Sequence, residues 1–172
     1  MAVLPVLTIP NDILTTPTEK VETYDDDLLQ LIEDMKETMY AEHGIGLAAN
    51  QVGKSLSLFV MDVDGSGAKV FINPEIEEQD GESKIQEGCL SIPGAFVWSD
   101  RYERVRVRYY DANWDLHCDN FTGKEAICIQ HEIDHLQGKL FVDRFGPVKR
   151  DLALKKHKKF MKAKRRGKIR ML

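Results

Sequence analysis

The sequence predicts one α+β domain, in which short antiparallel or mixed β-sheets pack around a central buried helix. Three observations support this class: a helical apolar period over residues 25–40, alternating apolar and polar residues in several segments between 56 and 118, and an apolar helical segment over 122–138. With 172 residues, the chain fits a single domain that buries roughly 70% of its extended surface. An N-terminal helix and a basic C-terminal helix complete the predicted architecture.

The first helix is predicted over residues 25–40. It begins with consecutive aspartates, which favour a helix N-terminus. Its apolar side chains recur on one face, and we expect them in the core rather than on a binding surface: Leu28, Leu31, Ile32, Met35 and Met39. The glycine-rich residues 44–53 that follow are predicted to form a loop.

Strands are predicted over residues 56–63, 69–73 and 104–110. Asp and Gly residues at 64–67 join the first two, and arginines alternate with apolar residues in the third. After a turn at 111–113, Trp114, Leu116 and Cys118 continue the alternation, so Cys118 is predicted to have a structural role.

The central helix is predicted to begin at a capping box formed by Thr122 and Glu125 and to end at Gly138. It is apolar nearly all round, which predicts burial: Ala126, Ile127, Ile129, Ile133 and Leu136. Pro147 is predicted to open the terminal helix, and Gly167 to end it.

Two histidines four residues apart, His131 and His135, point to a metal site on the central helix. An i, i+4 pair lies on one helix face, so both imidazoles can bind a single metal ion. Glu132 is turned roughly 100° from His131 by the helix period, which places it beside the ion, where it can move protons to and from water. Two histidines satisfied by ordinary hydrogen bonds are the alternative explanation.

The third ligand is not supplied by a familiar downstream pattern. Glu132 is the last glutamate of the chain, and Phe141 stands where the pattern H-E-x-x-H-x-x-G-x-x-H needs its third histidine. Asp143, Asp151 and His157 follow, none at a familiar spacing. The third ligand is therefore expected upstream of the helix.

Two upstream segments carry suitable chemistry. Cys89 lies within residues 87–93, which glycine and proline predict to be a loop. Two histidines and one thiolate would leave an open position for water on zinc or ferrous iron; a plain buried thiol is the alternative. In residues 44–53, glycines allow close backbone approach, and Gln51 offers an amide donor for a developing oxyanion.

Together the three segments resemble the peptide deformylase family. Residues 44–51 match its motif G-φ-G-φ-A-A-x-Q (φ apolar), residues 87–91 match E-G-C-[LM]-S, and residues 131–135 match H-E-x-D-H. The motifs stand in the right order, about 40 residues apart each time, and the likeness extends over most of the chain, as far as Arg144. H-E-x-x-H alone occurs in many unrelated hydrolases.

The resemblance implies a hydrolase that removes the N-formyl group from the N-terminal formylmethionine of newly made polypeptides and releases formate. It implies that Cys89, His131 and His135 hold one divalent metal ion, usually Fe²⁺ in this family, with Zn²⁺, Ni²⁺ or Co²⁺ as alternatives in purified protein. Glu132 would carry the proton from water to the leaving amine. Gln51 and the backbone N–H of Leu90 would stabilise charge on the formyl oxygen.

The resemblance also implies how the substrate binds. The peptide would lie extended and pair with the backbones of Ile45 and Gly88. The expected substrate-binding residues, which include the pocket for the methionine side chain, are Ile45, Gly46, Ile85, Glu87, Gly88, Ile127 and Cys128. Asp134 is expected to form a salt bridge, with Arg101 as a candidate partner. The chain departs from well-known members, which carry arginine at the position of Phe96 and apolar residues at those of Lys124 and Glu125.

Charged residues are distributed unevenly along the chain. Residues 148–172 hold 12 Lys and Arg against one acidic residue, whereas residues 1–147 hold 12 basic and 27 acidic residues. We expect a catalytic part over 1–147 and a basic helical tail over 148–172 of the same domain. Such a tail is either an electrostatic handle for phosphate backbones or a solvated helix. The resemblance implies docking on the ribosome near the exit of the nascent chain.

The composition indicates where in the cell the chain acts, and two alternatives to the deformylase function remain. The chain has no apolar run of 18 residues, lacks the start typical of a signal peptide, and has three cysteines, an odd number. We therefore expect a cytoplasmic monomer without membrane contact. One rival is another metallohydrolase, such as a small aminopeptidase or protease. The other is an RNA- or ribosome-binding protein with a closed structural zinc site, for which Cys118 or Cys128 would supply the fourth ligand.

Overall fold

In residues 2–165, the part of the chain that the computed structural model describes, one α-helix precedes a series of antiparallel strands and two α-helices follow it. The helices are α1 (Asp26–Ala41), α2 (Gly123–Leu136) and α3 (Pro147–Arg165). The strands are β1 (Gly46–Ala48), β2 (Leu58–Met61), β3 (Lys69–Asp80), β4 (Ser83–Cys89), β5 (Ile92–Arg101), β6 (Arg104–Tyr110) and β7 (Leu116–Thr122). One sheet has the strand order β1-β2-β3-β6-β7, and β4 and β5 form a separate hairpin. The predicted α+β class is confirmed, with antiparallel pairing between the strands.

Helix α1 buries the predicted face. The Asp25 carboxylate accepts a hydrogen bond from the backbone N–H of Leu28 at 2.9 Å, which caps the helix. The face packs on the side of the five-stranded sheet that carries Leu58 and Val60. Its buried members are Leu28, Ile32, Met35 and Met39, whereas Leu31 is only half-buried.

Helix α2 lies across the other side of this sheet and is buried from Ala126 to Leu136, as its apolar composition predicts. It packs against a cluster of aromatic and branched side chains from four strands. The predicted capping box is wrong: Thr122 occupies the N-cap position, but its side chain makes no capping bond. The Glu125 carboxylate instead contacts Lys69 Nζ on β3 at 2.6 Å. Gly138 follows the helix with φ +75°, the left-handed conformation that favours glycine.

Three strand predictions need correction. Strand β3 continues to Asp80 and β5 has ten residues, so the strands are not all short. The predicted loop at 87–93 is the end of β4, a tight turn and the start of β5. Trp114 lies in a turn with φ +65° rather than in a strand. Polar and exposed residues dominate the missed end of β3, which removes the apolar alternation that marks a strand. In β5 burial does alternate, but exposed Phe96 and Trp98 place apolar side chains on both faces.

The glycine-rich segment is also more ordered than predicted. Its residues form strand β1 and a 3-10 turn over Ala49–Val52, which ends at Gly53 with φ +84°. Leu47, Ala48 and Ala49 are completely buried. The segment is therefore part of the core, although sequence patterning indicates only a loop.

Helix α3 closes the open edge of β5. Ala153 and His157 are buried, and His157 Nδ1 lies 2.8 Å from the carbonyl oxygen of Pro93. Lys149 and Lys156 donate to the backbone carbonyls of Trp98 and Phe96 on β5.

Pro147 opens α3 as predicted, whereas the predicted stop at Gly167 lies outside the described residues. No helix within residues 2–165 is both long enough and apolar enough to cross a membrane.

Candidate metal centre

The three predicted ligand side chains meet at one point. Helix α2 presents His131 and His135 on one face, with their Nε2 atoms 3.2 Å apart. Strand β4 ends at Cys89, whose Sγ lies 3.3 Å from His135 Nε2, and the three ligand atoms lie within 4.8 Å of one another. Bond lengths of about 2.0 to 2.3 Å in a tetrahedral site would space such atoms by about 3.3 to 3.5 Å. The cluster therefore fits one divalent ion with a fourth position open.

The other cysteines lie away from this point. Cys118 is exposed on β7, where its Sγ is 3.3 Å from Arg106 Nε and 3.3 Å from a Glu77 carboxylate oxygen. The structural role expected of Cys118 stays a prediction; its side chain faces solvent and contacts residues of the neighbouring strands. Cys128 is buried, with Sγ 3.8 Å from the carbonyl oxygen of Ile45. Within residues 2–165, the cluster gains no fourth protein ligand, contrary to the requirement of a closed structural zinc site.

Glu87 contacts the Nδ1 atom of His131, the ring nitrogen that does not face the cluster. One carboxylate oxygen lies 2.7 Å from His131 Nδ1, and the carboxylate also accepts from Arg101 Nε at 2.7 Å and Nη2 at 2.8 Å. Burial opposes ionisation, but the hydrogen bonds from His131 and Arg101 lower the pKa of Glu87. A carboxylate that accepts the Nδ1–H proton leaves the Nε2 lone pair free to face a metal.

The carboxylate of Asp134, near the end of α2, also binds Arg101. Arg101, whose side chain is completely buried, donates from Nη1 to Asp134 at 2.8 Å, which confirms the predicted contact. Arg144 makes two bonds to the same carboxylate, at 2.7 and 2.9 Å. Sequence reasoning missed Arg144, since nothing local marks its partner ten residues earlier.

Glu132 lies beside the cluster and has an oxygen without a hydrogen-bond partner among the described residues. The residue is only 3% exposed. Burial raises the pKa of Glu132 to about 7, although the nearby charge of His131 opposes the shift. A carboxyl group with such a pKa can both take up and release a proton near neutral pH.

Gly46 permits this position of Glu132. A Cβ atom at Gly46 would stand 2.8 Å from Cys128 Sγ and 3.0 Å from Glu132 Oε1. Both distances are shorter than ordinary van der Waals contacts. The glycine is therefore required by the close approach of β1 to α2.

The 3-10 turn after β1 contacts both sides of the cluster. Gln51 is 1% exposed; its Oε1 accepts from the backbone N–H of Ala48, and its Nε2 lies 3.1 Å from Ser91 Oγ and 3.7 Å from Cys89 Sγ. Asn50 donates to the backbone carbonyl of His135 at 2.6 Å. Asn50 and Ser91 were missed as site residues, although both lie within or beside the recognised motifs.

The predicted substrate-binding residues lie on the elements that carry the ligands. Ile45 is 41% exposed, and its carbonyl already accepts from the N–H of Asp62 at 2.8 Å. Ile85 and Gly88 are half-buried on β4, and Leu90 is half-buried in the turn after it. Ile127, with Cys128, is buried on α2.

Comparisons with known proteins agree with this geometry. The model of the polypeptide deformylase family matches residues 3–151. The chain is 46% identical over 166 residues to a peptide deformylase of Syntrophobacter fumaroxidans, covering 94% of this chain and 98% of the relative. It is 46% identical over 162 residues to one of Pseudomonas aeruginosa, covering 92% and 96%.

Solved structures show the same likeness. A crystal structure of a peptide deformylase from Legionella pneumophila superposes with a TM-score of 0.91 at 43% identity, covering 96% of this chain and 99% of that one. The peptide deformylase of Ehrlichia chaffeensis in complex with actinonin superposes with a TM-score of 0.88 at 40% identity, covering 93% and 98%.

Proposed function

The chain belongs to the polypeptide deformylase family, and on this basis we propose a role in the reaction for each residue of the site. It is a hydrolase that removes the N-formyl group from newly made polypeptides. The observation that supports the proposed roles is the meeting of Cys89, His131 and His135 within 4.8 Å, with Glu132 beside them.

Cys89, His131 and His135 would hold one divalent metal ion, and we take Fe²⁺ as the metal in the cell. Zn²⁺, Ni²⁺ and Co²⁺ are the alternatives, because imidazole and thiolate donors suit all of them. When bound, the ion supplies Lewis-acid polarisation of the formyl group and activation of water. Glu87 orients the His131 imidazole through Nδ1, and Asn50 holds the backbone of α2 at His135 through its carbonyl oxygen.

Glu132 acts as the proton carrier. It takes a proton from the water that attacks the formyl carbon and delivers it to the amine nitrogen, which would otherwise leave as a poor anion. The unpartnered oxygen and the raised pKa of Glu132 support this role.

Gln51 and the backbone N–H of Leu90 stabilise the negative charge that develops on the formyl oxygen. Gln51 Nε2 lies within 3.7 Å of Cys89 Sγ, and its amide is held in place by Ala48 and Ser91. Loss of one such donor raises the barrier by about 3–4 kcal/mol.

The peptide lies extended along β4 and pairs with the backbone of Gly88 and with residues Ile45 and Gly46 of the neighbouring segment. The methionine side chain enters between β4 and α2, against Ile85, Ile127 and Cys128. The Glu87 carboxylate is engaged by Arg101 and His131, so Glu87 contributes its methylene groups to this pocket. Such an apolar pocket distinguishes methionine from similar side chains by about 1–3 kcal/mol.

Residues 148–172 serve as a basic tail of the same domain that docks the enzyme on the ribosome. Described residues of α3 support this role, because most of its lysines and arginines are exposed while Ala153 and His157 hold the helix on the body. Exposed cations bind phosphate backbones. The enzyme acts as a cytoplasmic monomer.

Anaerobic metal analysis combined with a formate-release assay tests the proposed function. We expect one equivalent of metal per chain, and formate release from formyl-Met-Ala-Ser but no cleavage of its acetylated or free counterparts. Cleavage of only the acetylated or free peptides would instead indicate an aminopeptidase or protease.

A further inference from the structure

The N-terminal segment, residues 2–19, contacts each of the three segments that carry the metal centre. The backbone N–H of Leu7 donates to the carbonyl of Gln51 at 2.7 Å, and that of Ile9 donates to the carbonyl of Ser91 at 3.0 Å. A third contact is made on the last residue of α2. The N-terminal segment therefore joins the turn after β1, the turn after β4 and the end of α2, although it carries none of the expected site residues.

Thr18 makes this third contact with two donors. Its backbone N–H and its hydroxyl both donate to the carbonyl of Leu136, at 2.8 and 2.9 Å. The last four carbonyls of a helix have no partner inside the helix. Among the described residues, only Thr18 donates to the carbonyl of Leu136, whereas the carbonyl of His135 accepts from Gly138 and Asn50. The final turn of α2 therefore depends on Thr18 for its last hydrogen bonds.

The N-terminal segment also packs closely on the end of α2. A Cβ atom at Gly138 would stand 2.8 Å from the carbonyl oxygen of Thr15 and 2.9 Å from the carbonyl carbon of Thr16, so backbone lies directly against backbone here. Leu14, in the same segment, is completely buried. These contacts restrict the turn of α2 that carries His135.

The position of the His135 ring depends on this turn more than the position of His131 does. His131 Nδ1 is held by the Glu87 carboxylate at 2.7 Å. His135 Nδ1 is buried and has no hydrogen-bond partner among the described residues. The direction of His135 Nε2 therefore follows from where the backbone of the last turn lies.

We propose that Thr18 is a positioning residue of the metal centre, whose hydroxyl holds the last turn of α2, and with it His135, in place. This inference rests on the proposed function, since it takes His135 as a ligand of the metal ion. Thr18 acts through the backbone of α2 and contacts none of the three ligand side chains. Loss of its hydroxyl should widen the range of positions that His135 Nε2 occupies and so weaken metal retention.

The test follows release of Ni²⁺ from loaded protein to a chelator. Thr18→Val removes the hydroxyl and keeps the backbone N–H, and Thr18→Ser keeps the donor. We expect Thr18→Val to release Ni²⁺ about two- to tenfold faster, the range that corresponds to one hydrogen bond, and Thr18→Ser to match the unaltered chain. Thr16→Val is the matched control, because the Thr16 hydroxyl donates at 2.7 Å to the carbonyl of Asp12 in its own segment.

Amide hydrogen exchange on the metal-free proteins gives a second readout. The N–H of Gly138 donates to the carbonyl of His135 at 3.0 Å, and that of Lys139 donates to the carbonyl of Asp134 at 2.8 Å. Both amides should exchange about two- to tenfold faster in Thr18→Val, because the turn that accepts their bonds opens more often.

The outcomes separate this inference from the proposed function. Unchanged Ni²⁺ release in Thr18→Val overturns the inference, even with a lower melting temperature, because the hydroxyl would then only stabilise the fold. An equal effect of Thr16→Val overturns it as well, and so does faster release without faster exchange, since the effect would not pass through the end of α2. If the unaltered chain released no formate from formyl-Met-Ala-Ser, the proposed function would fail, whereas the Ni²⁺ release rates would still decide the inference.

Discussion

Glu87 accepts a hydrogen bond from His131 Nδ1 at a distance of 2.7 Å, and this contact joins the second sequence motif to the third. The segment that supplies the sulfur of Cys89 thus also orients an imidazole on α2. Arg101 completes the contact, because it holds the Glu87 carboxylate through two nitrogens and Asp134 of α2 through a third. The cluster therefore depends on ionic contacts between β4, β5 and α2 as well as on the ligands themselves.

Glu87→Gln should weaken metal retention. The amide accepts a weaker hydrogen bond from His131 and leaves the buried Arg101 guanidinium without its full counter-charge. Loss of such an outer contact typically lowers metal affinity by about 10- to 100-fold. The measurement is the rate of metal loss to a chelator under anaerobic conditions. Glu82→Gln, at an exposed position just before β4, is the control, and equal rates for the two variants would contradict the orienting role.

Local patterns identified the two histidine ligands, and the family resemblance added Cys89; of the contacts of Asp134 with distant residues, the one with Arg101 was predicted and the one with Arg144 was not. The helical spacing of His131 and His135 is a local property, and burial of α2 follows from its apolar composition. Arg144 reaches Asp134 because the chain folds back after α2, and no periodicity in the sequence predicts this turn. The strand that ends at Cys89 was mistaken for a loop because its outward face is polar and carries Gly88.

Glu132→Gln should abolish turnover while metal content remains. The amide keeps the size of the side chain but cannot take up and release a proton, so kcat should fall by about 10²- to 10⁴-fold. Formate release and metal stoichiometry are measured on the same preparation. Glu125→Gln, near the start of the same helix, controls for charge. Turnover within a few-fold of the unaltered enzyme would exclude Glu132 as proton carrier.

Charge reversal on α3 should weaken ribosome binding without slowing small-peptide hydrolysis. Lys155, Lys159 and Lys162 are exposed, so replacing all three by Glu leaves the packing of Ala153 and His157 intact. Deleting residues 148–172 would be a poorer test, because it would uncover the edge of β5 and the apolar cluster beneath the helix.

Binding of this triple variant to ribosomes is measured across a salt series, and both the affinity and its dependence on salt should fall. The control is a second triple variant with Lys36, Lys54 and Lys84 of the body changed to Glu, which alters the net charge by the same amount. If both variants bind ribosomes as the unaltered chain does, the docking role of α3 is wrong.

Gly46→Ala should lower activity by displacing Glu132. The added methyl group would stand 3.0 Å from the Glu132 carboxylate and 2.8 Å from Cys128 Sγ, and overpacking of this kind costs about 1–3 kcal/mol of stability. A shift of about 1 Å in a reacting group can reduce the rate by about 100-fold. We therefore expect a lower melting temperature and a fall in kcat, with metal content retained.

A second substitution distinguishes the two contacts of the added methyl group. Cys128→Ala removes the sulfur, so the double variant Gly46→Ala, Cys128→Ala should regain melting temperature because the closer clash is gone. Its kcat should recover only in part, since the contact with Glu132 remains. Gly146→Ala is the control, because a Cβ atom there meets nothing within 4 Å. Full activity of Gly46→Ala would mean that β1 can move away from α2, and the close approach would then have no catalytic importance.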